Sequence, residues 1–373
     1  MRKFVWFLLV LGSLGILQAQ EDEEAGIFRR GFELLKLGEH DGGALMEAWL
    51  RPVTERLLYQ SVAAGYEPFR RREDRRLDVS VRVAYLHAGK KRTEIPLSEL
   101  GLENWEPQDV YNLNLRTAIS NDTVYSTTTF LISKLKDSLD NAAFVYETPA
   151  GFHYRRLPLF YFSAVYTLTP STNLQLGTTF LYPKLLDLPF FMLSAGVQQN
   201  ILPLLGKEAD RSEVNFMLQY GYQHAEQLIS ILPTDNDVYS NAPVIGSHNG
   251  PYDHQKVLAD LHAFSLGAVY AYKFTRMVRA YGGLRYMWGT AVYRFKGTFP
   301  AYRPAANGLY ALEKYDMTDP GPVRGGYGSF SGGAGLWLEG EVLTADLRVE
   351  YGKYPSVHLG VGIRWQGGSS KKE

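Results

Sequence analysis

From residue 77 onward, hydrophobic residues recur at every second position. In "SVHLGVGIRW" (residues 356–365), Val357, Leu359, Val361, Ile363 and Trp365 fall on one face of an extended strand, and His358, Gly360, Gly362 and Arg364 on the other. The same split recurs in "LDVSVRVAYL" (77–86), "NLQLGTTFLY" (173–182), "VNFMLQYGYQ" (214–223), "AFSLGAVYAY" (263–272) and "LTADLRVEY" (343–351). These segments are predicted strands, and their apolar faces often end in an aromatic ring. "TPST" (169–172), "KFTR" (273–276) and "KYPS" (353–356) join strand-like runs as hairpin turns do. The connections at 87–120, 224–260 and 299–332 are long. Short turns at one end and long loops at the other are the pattern of an outer-membrane barrel.

The N-terminal part has a different period. In "GGALMEAWLRPVTERLLYQSVAAGY" (42–66), Leu45, Trp49, Leu50, Val53, Leu57 and Leu58 lie near helical spacing. Pro52 is expected to kink or divide that helix. Residues 20–66 thus form an N-terminal helical segment. It either packs as a structural helix or plugs a barrel, with 43–66 inside the lumen or across its periplasmic mouth. Ahead of it, Arg2 and Lys3, the apolar run 4–17 and Gln18-Ala19 read as a signal peptide over residues 1–19. The barrel is assigned to 67–366 and a polar tail to 367–373.

Composition decides which side of each strand meets which solvent. The chain has 373 residues, among them 25 Tyr, 19 Phe and 6 Trp, and no Cys. Beyond the leader no apolar run is long enough for a transmembrane helix. The polar faces carry Gly, Ser, Thr, Gln and single charges of both signs, which suits a crowded wet lumen more than a soluble sandwich. The expected fold is therefore all-β: an antiparallel transmembrane β-barrel of ten to fourteen strands in the cell outer membrane, its apolar faces against lipid. The formal charge is zero, so nothing favours a nucleic-acid partner. Without cysteine there is neither a disulfide nor a thiolate metal site.

Taken together, "GALMEAWLRPVTERLLYQSVAAGY", "RLDVSVRVAYL" and "STNLQLGTTFLYPKLLDLPFFMLSAGVQQNILPLLGK" resemble a family of uncharacterised Gram-negative outer-membrane barrels, a domain of unknown function. More distantly, the arrangement is similar to the long-chain fatty-acid transporter type of barrel, in which an N-terminal plug sits in the lumen. The Asn-Pro-Ala motif of that plug is absent, and the nearest string is "NAP" at 241–243. The distant resemblance implies passive uptake of a hydrophobic small molecule; the alternative is a structural or assembly role in which long loops dock a partner. Outer-membrane lipid is a partner in either case.

Candidate chemistry is sparse. His248, Asp253, His254, Asp260 and His262 lie close in sequence but match no tight metal-ligand spacing. Ser265 and His262, three apart on a strand, point to opposite faces, and strand geometry is expected to assemble no Ser/His/Asp set. The Gly-rich 325–335 lacks the Lys-Ser/Thr of a phosphate loop and reads as a flexible loop entering a strand. "FRRREDRR" (69–76) reads as a solvated basic cluster. No enzyme, metal or cofactor is expected. The remaining candidates are lumen-facing: Arg82, Gln219, Arg285, Asp346, Arg348, Glu350 and Arg364, with Arg279 on the same kind of face. Most are expected to pair with one another or with the plug. The lumenal Gly360 and Gly362 leave space expected to receive a plug side chain.

Overall fold

In the computed structural model, ten strands close into a barrel. The structure describes residues 31–62, 76–87, 94–108, 114–117, 130–136, 142, 144–148, 156–179, 190–206, 211–233, 238–240, 242–305 and 310–366. The leader at 1–19, most of the basic cluster at 69–76, the tail at 367–373 and the side chain of Trp365 lie outside the described residues. The barrel strands are β1 (Arg76–His87), β2 (Arg156–Thr169), β3 (Thr172–Thr179), β4 (Phe190–Asn200) and β5 (Ser212–Leu228), followed by β6 (Lys256–Lys273), β7 (Val278–Lys296), β8 (Val323–Glu339), β9 (Leu343–Gly352) and β10 (Ser356–Gln366). Each pairs antiparallel with its neighbour in sequence, and β10 closes the ring on β1. The count is the lowest of the expected range, because the other strand-like segments lie in the connections.

The alternation translates directly into two faces. On β10, Val357, Leu359 and Val361 are exposed, while His358, Gly360, Gly362 and Arg364 face inward. The outer faces of the other strands carry Leu176, Leu193, Leu218, Leu266, Leu284 and Leu347, all exposed. A band of rings in contact crosses β5 to β8 on this outer face: Tyr220 and Phe264 (4.9 Å), Phe264 and Trp288 (5.4 Å), Tyr286 and Phe330 (4.5 Å). Tyr270 and Phe274 stand exposed toward the opposite end. An apolar outer belt between aromatic girdles, around a polar interior, is what a bilayer selects.

Six links of the meander sort by length. Those after β2, β6 and β8 are tight and share one end, and those after β1, β5 and β7 are long and share the other. The "KYPS" turn departs from expectation: it is tight but joins β9 to β10 at the end of the long loops. The Gly-rich 325–335 also differs, being interior to β8 and not a loop. Gly328, Gly332, Gly333 and Gly335 fit because side chains from neighbouring strands sweep over them; a Cβ at Gly333 would come 2.8 Å from Glu350 Cγ.

The long connections fold into a head of small sheets. One joins Trp105–Pro107, Phe130–Ser133, Phe144–Glu147 and Val238–Ser240; another joins Val244–Gly246, Leu312–Thr318 and Thr298–Pro304. Trp105 packs edge-on against Phe144 (5.0 Å) and Tyr146 (6.1 Å). A carboxylate staples the second sheet: Asp316 accepts from Asn249 N (2.7 Å), Gly250 N (3.1 Å), Tyr252 Oη (2.6 Å) and His248 Nδ1 (3.2 Å). Burial disfavours its ionised form, but these four donors outweigh burial and hold Asp316 below the usual carboxylate range. A depressed carboxyl contributes stability that is complete above its unfolded value of about 3.9 and is lost as pH falls through the folded value. We therefore expect hydrogen exchange, corrected for intrinsic rates, to show Asn249 and Gly250 amides protected at neutrality and released in acid below about pH 4. Asp316→Asn should lose that protection even at neutral pH.

The helix α1 (Glu39–Ser61) lies within the ring and enters from the head. At its start, Glu39 accepts from Gly321 N (2.9 Å) and Asp41 from Glu103 N and Asn104 N (both 2.8 Å), all three being head residues. At its end, Gln223 donates to Leu57 O (2.5 Å) and Arg285 to Val62 O (3.1 Å), well down the barrel wall. Two glycines make room for it: a Cβ at Gly221 would meet Ser61 Cβ at 2.5 Å, and one at Gly289 would meet Leu58 Cδ2 at 3.1 Å. The helix is continuous through Pro52, so of the two expected outcomes, a kink or a division, the division does not occur. Trp49, Leu50, Leu57 and Leu58, on both sides of the proline, are buried, and this packing outweighs a helix-interior cost of about 3 kcal/mol. A cysteine at Trp49 or Leu57 should therefore resist a bulky maleimide in the folded protein and react after denaturation. Free labelling of both in folded barrels would place the helix elsewhere.

Candidate functional site

An eight-strand ring is just wide enough for side chains to fill, so ten strands leave surplus space. α1 takes it in the half of the barrel nearer the head. Beyond the helix the interior is filled by long charged side chains. Arg82, Arg285 and Arg348 are among the largest fully buried side chains.

The first charged layer centres on β9. Asp346, Arg348 and Glu350 alternate along that strand and so all point inward, with signs negative, positive, negative. Arg348 Nε lies 2.9 Å from Glu350 Oε1, and Arg285 Nη2 from β7 lies 2.7 Å from Glu350 Oε2. Tyr59 of α1 donates to the same carboxylate, and the Arg285 guanidinium sits over the Tyr59 ring at 4.3 Å. Arg82 comes from β1, two strands from β9, and reaches Asp346 at 3.4 Å. It can do so because the β10 residue between them in the register is Gly360, paired with Arg82 on one side and with Asp346 on the other. The space at Gly360 is thus filled by its strand neighbours and not by a plug side chain.

A second layer lies toward the tight-turn end. Arg279 contacts Glu213 (2.8 Å) and Glu339 (3.1 Å), while Arg364 contacts Glu339 (2.7 Å) and Asp78 (3.4 Å). Of the seven lumenal candidates, Arg82, Arg285, Asp346, Arg348 and Glu350 therefore meet in one layer, and Arg364 belongs to the other. Gln219 stands apart, donating to Gln175 (3.2 Å). Sequence reasoning missed Tyr59, His358, Glu213 and Glu339. The two glutamates lie at strand ends, where alternation has too few positions to assign a face. Tyr59 could be linked to Glu350 only through tertiary structure.

Strand geometry does bring a serine and a histidine together, at i and i+2 on β10, with an arginine and no aspartate on the second ring nitrogen. Ser356 Oγ lies 2.8 Å from His358 Nε2. His358 Nδ1 lies 2.9 Å from Arg348 Nη2, and arginine can only donate, so Nδ1 is the unprotonated nitrogen. Nε2 then carries the proton and donates it to Ser356, which is the reverse of what an activated serine requires. The histidine cluster of the sequence disperses. His248 binds Asp316, His262 Nδ1 lies 2.7 Å from Tyr220 Oη, and Asp260 takes His224 (2.8 Å) together with Arg294. Among the described residues no three His, Asp or Glu side chains are placed to hold a metal.

A closed antiparallel ring with an apolar belt outside and ion pairs inside is an integral outer-membrane β-barrel. Residues 1–365 match the profile of DUF6588, a family of unknown function, and the chain belongs to that family. No curated protein matches it in sequence. Among solved structures, it is similar to Ail, the attachment invasion locus protein of Yersinia pestis, at 10% identity over 78% of this chain and 99% of that one, with a TM-score of 0.28. It is also similar to the outer membrane protease OmpT from Escherichia coli (7% identity, 81% and 99% coverage, TM-score 0.32). The outer membrane transporter YddB from Escherichia coli aligns at 9% identity, 79% and 44% coverage and a TM-score of 0.25.

Proposed function

We propose that this protein is a sealed outer-membrane scaffold whose long loops form a docking head, held rigidly by the helix in the barrel. The observation that carries this reading is the filled lumen. α1 occupies one half, and in the other every arginine of the two layers is within 3.4 Å of a carboxylate. The five arginines and five carboxylates of the two layers sum to zero, so the lumen carries no net charge to draw ions of one sign. One hydrophobic core runs from Leu45 and Trp49 of α1 through Phe295 and Phe299 to Trp105 and Phe144 of the head. The head also presents apolar surface: Val244 and Ile245 on a short strand, and Leu232 in the connection after β5, are exposed. Such patches on a water-facing surface are characteristic of protein contacts.

Planar-bilayer recording tests the reading. Purified wild-type protein should insert without giving stepwise conductance, and steady open-channel current would overturn the sealed scaffold. A second reading, uptake of a hydrophobic small molecule past the helix, draws support from a furrow on the outer wall. Slowed growth of a deletion strain on a hydrophobic carbon source, restored by the intact gene, would favour it over the scaffold.

A further inference from the structure

The wall of the barrel is incomplete beside β8. β8 begins at Val323 but pairs with β9 only from Ser331 onward, because β9 ends at Gly352 and turns back into β10. Among the described residues, the stretch of β8 from 323 to 330 has a strand partner on its β7 side alone. Two bonds at the far end of the strand fix which backbone groups face the opening. Glu339 N donates to Met277 O, beside β7 (2.7 Å), and Gly340 N donates to Leu343 O, beside β9 (2.8 Å). The register with β7 runs from there to Val323 without a bulge, and successive residues of a strand turn their N–H and C=O to opposite sides. Arg324, Gly326 and Gly328 therefore present theirs to the opening. All three residues are exposed.

α1 forms the floor of the opening. Its residues His40, Ala44, Glu47 and Arg51 share one stripe, and none of them is fully buried. Tyr327 Oη, from the inner face of β8, donates to Glu47 (3.0 Å), and the Arg51 guanidinium lies 5.9 Å from the Tyr327 ring. The Arg51 side chain is 47% exposed although its helix lies in the lumen, so the opening reaches the outside. Its height follows from the outer face. At its foot is the outer-wall furrow, rimmed by Leu284, Phe330 and Tyr351. Gly328 pairs with Trp288 of the ring band, and Arg324 pairs with Val292. Beyond the rings the outer faces of β6 and β7 turn polar, with Asp260, Arg294 and Lys296, so this edge rises out of the lipid belt into water.

We propose that the free edge of β8 takes an added strand: an extended segment of a partner polypeptide, about six residues long, antiparallel to β8 in the line that β9 leaves, with an acidic side chain opposite Arg324. This gives the docking head its contact surface and rests on that reading. A row of unpaired N–H and C=O groups is complementary to another extended backbone. The usual protections of such an edge are missing, since 323–330 holds no Pro, no Lys and no bulge. At Gly326 an added Cβ would meet open space, so a second backbone can approach. Arg324 is the one charge on the edge, and among the described residues it has no carboxylate partner. A second copy in the same membrane does not fit. Its β8 would run parallel to this one and cross it at about 80°, twice the usual strand tilt, where no ladder forms.

The chain has no cysteine, so Lys353→Cys supplies a unique anchor at the foot of the edge. The probe is the amidated peptide Cys-Thr-Val-Thr-Val-Thr-Asp, joined there by a disulfide, which holds it at an effective concentration on the order of 1 mM. Hydrogen exchange of the full chain in detergent micelles, resolved to single amides by fragmentation in the mass spectrometer, is the measurement. The amides of Arg324, Gly326 and Gly328 should exchange freely without the peptide and about tenfold more slowly with it. The same peptide N-methylated at both valines and the aspartate, whose N–H groups would face β8, should slow none of them. Gly326→Pro removes a donor that faces the opening and keeps the β7 ladder, so it should abolish the slowing at Arg324 and Gly328. Heat-modifiable gel migration confirms a folded barrel, and the N-methylated peptide gives the same test on an unaltered edge should that variant fail to insert. Arg324→Glu should reverse the preference toward a peptide ending in lysine, by up to about fivefold. Unchanged exchange with the peptide, or equal slowing by its N-methylated form, would overturn the added strand and leave the sealed scaffold, which conductance decides, untouched. Amides already slow without peptide would show the edge covered by this chain or a second copy, and overturn it too.

Discussion

Glu350→Gln should be among the most damaging single substitutions in the barrel, costing about 3–5 kcal/mol, because it leaves two arginines in the lumen without their carboxylate. Glu350 is 1% exposed and takes Arg285, Arg348 and Tyr59 together. The loss is not the worth of one ion pair. It is the cost of keeping Arg285 and Arg348, themselves 2% and 0% exposed, charged in a site that water does not reach. Urea unfolding in lipid vesicles measures it. Arg285→Met added to Glu350→Gln should recover part of the loss, since one of the two stranded charges is then gone, and the interaction energy of that cycle reports the coupling. If Glu350→Gln stays within about 1 kcal/mol of wild type, the lumen at this level is hydrated and the sealed reading is wrong.

The local pattern reached the faces of the strands but not their partners. Period-two alternation places Arg82, Arg348 and Arg364 inward because orientation is a property of each strand alone. That Arg82 meets Asp346 is a matter of closure: β1 and β9 are far apart in sequence and become neighbours across β10 only when the ring shuts. The same limit explains the "KYPS" turn. Which end a turn occupies depends on the number of barrel strands before it. The strand-like pieces at Trp105–Pro107, Phe130–Ser133 and Phe144–Glu147 obscure that number, because they belong to the head. Gly-rich β8 was hidden for a different reason. Glycine weakens an isolated strand, and only neighbours such as Tyr281 and Glu350, which use the vacant volume at Gly335 and Gly333, make it the fitting residue there.

Two adjacent residues of β10 separate the lipid face from the lumen face by mechanism. Val361 is 40% exposed on the outer face, paired with Val81 on one side and Ala345 on the other. Val361→Arg places a cation against lipid and should cost about 2–4 kcal/mol at mid-membrane, falling toward zero near an interface. Gly360→Ser is costly, because the space at this position is already taken by its strand neighbours. A Cβ at 360 overlaps Asp346 Oδ1 and comes 2.9 Å from Arg82 Cγ, and both side chains are buried. The Arg82–Asp346 contact must open, with an overpacking cost of about 1–3 kcal/mol. Similar magnitudes could hide the difference, so bilayer thickness supplies the discriminating variable. In vesicles of shorter-chain lipid an arginine at 361 reaches the headgroups more easily and its penalty should shrink. The serine at 360 meets the same two side chains whatever lipid surrounds the barrel, so its penalty should not change. A Gly360→Ser barrel as stable as wild type would mean that Arg82 does not cross β10 to Asp346. A penalty at 361 that ignores bilayer thickness would mean that this face of β10 does not meet lipid.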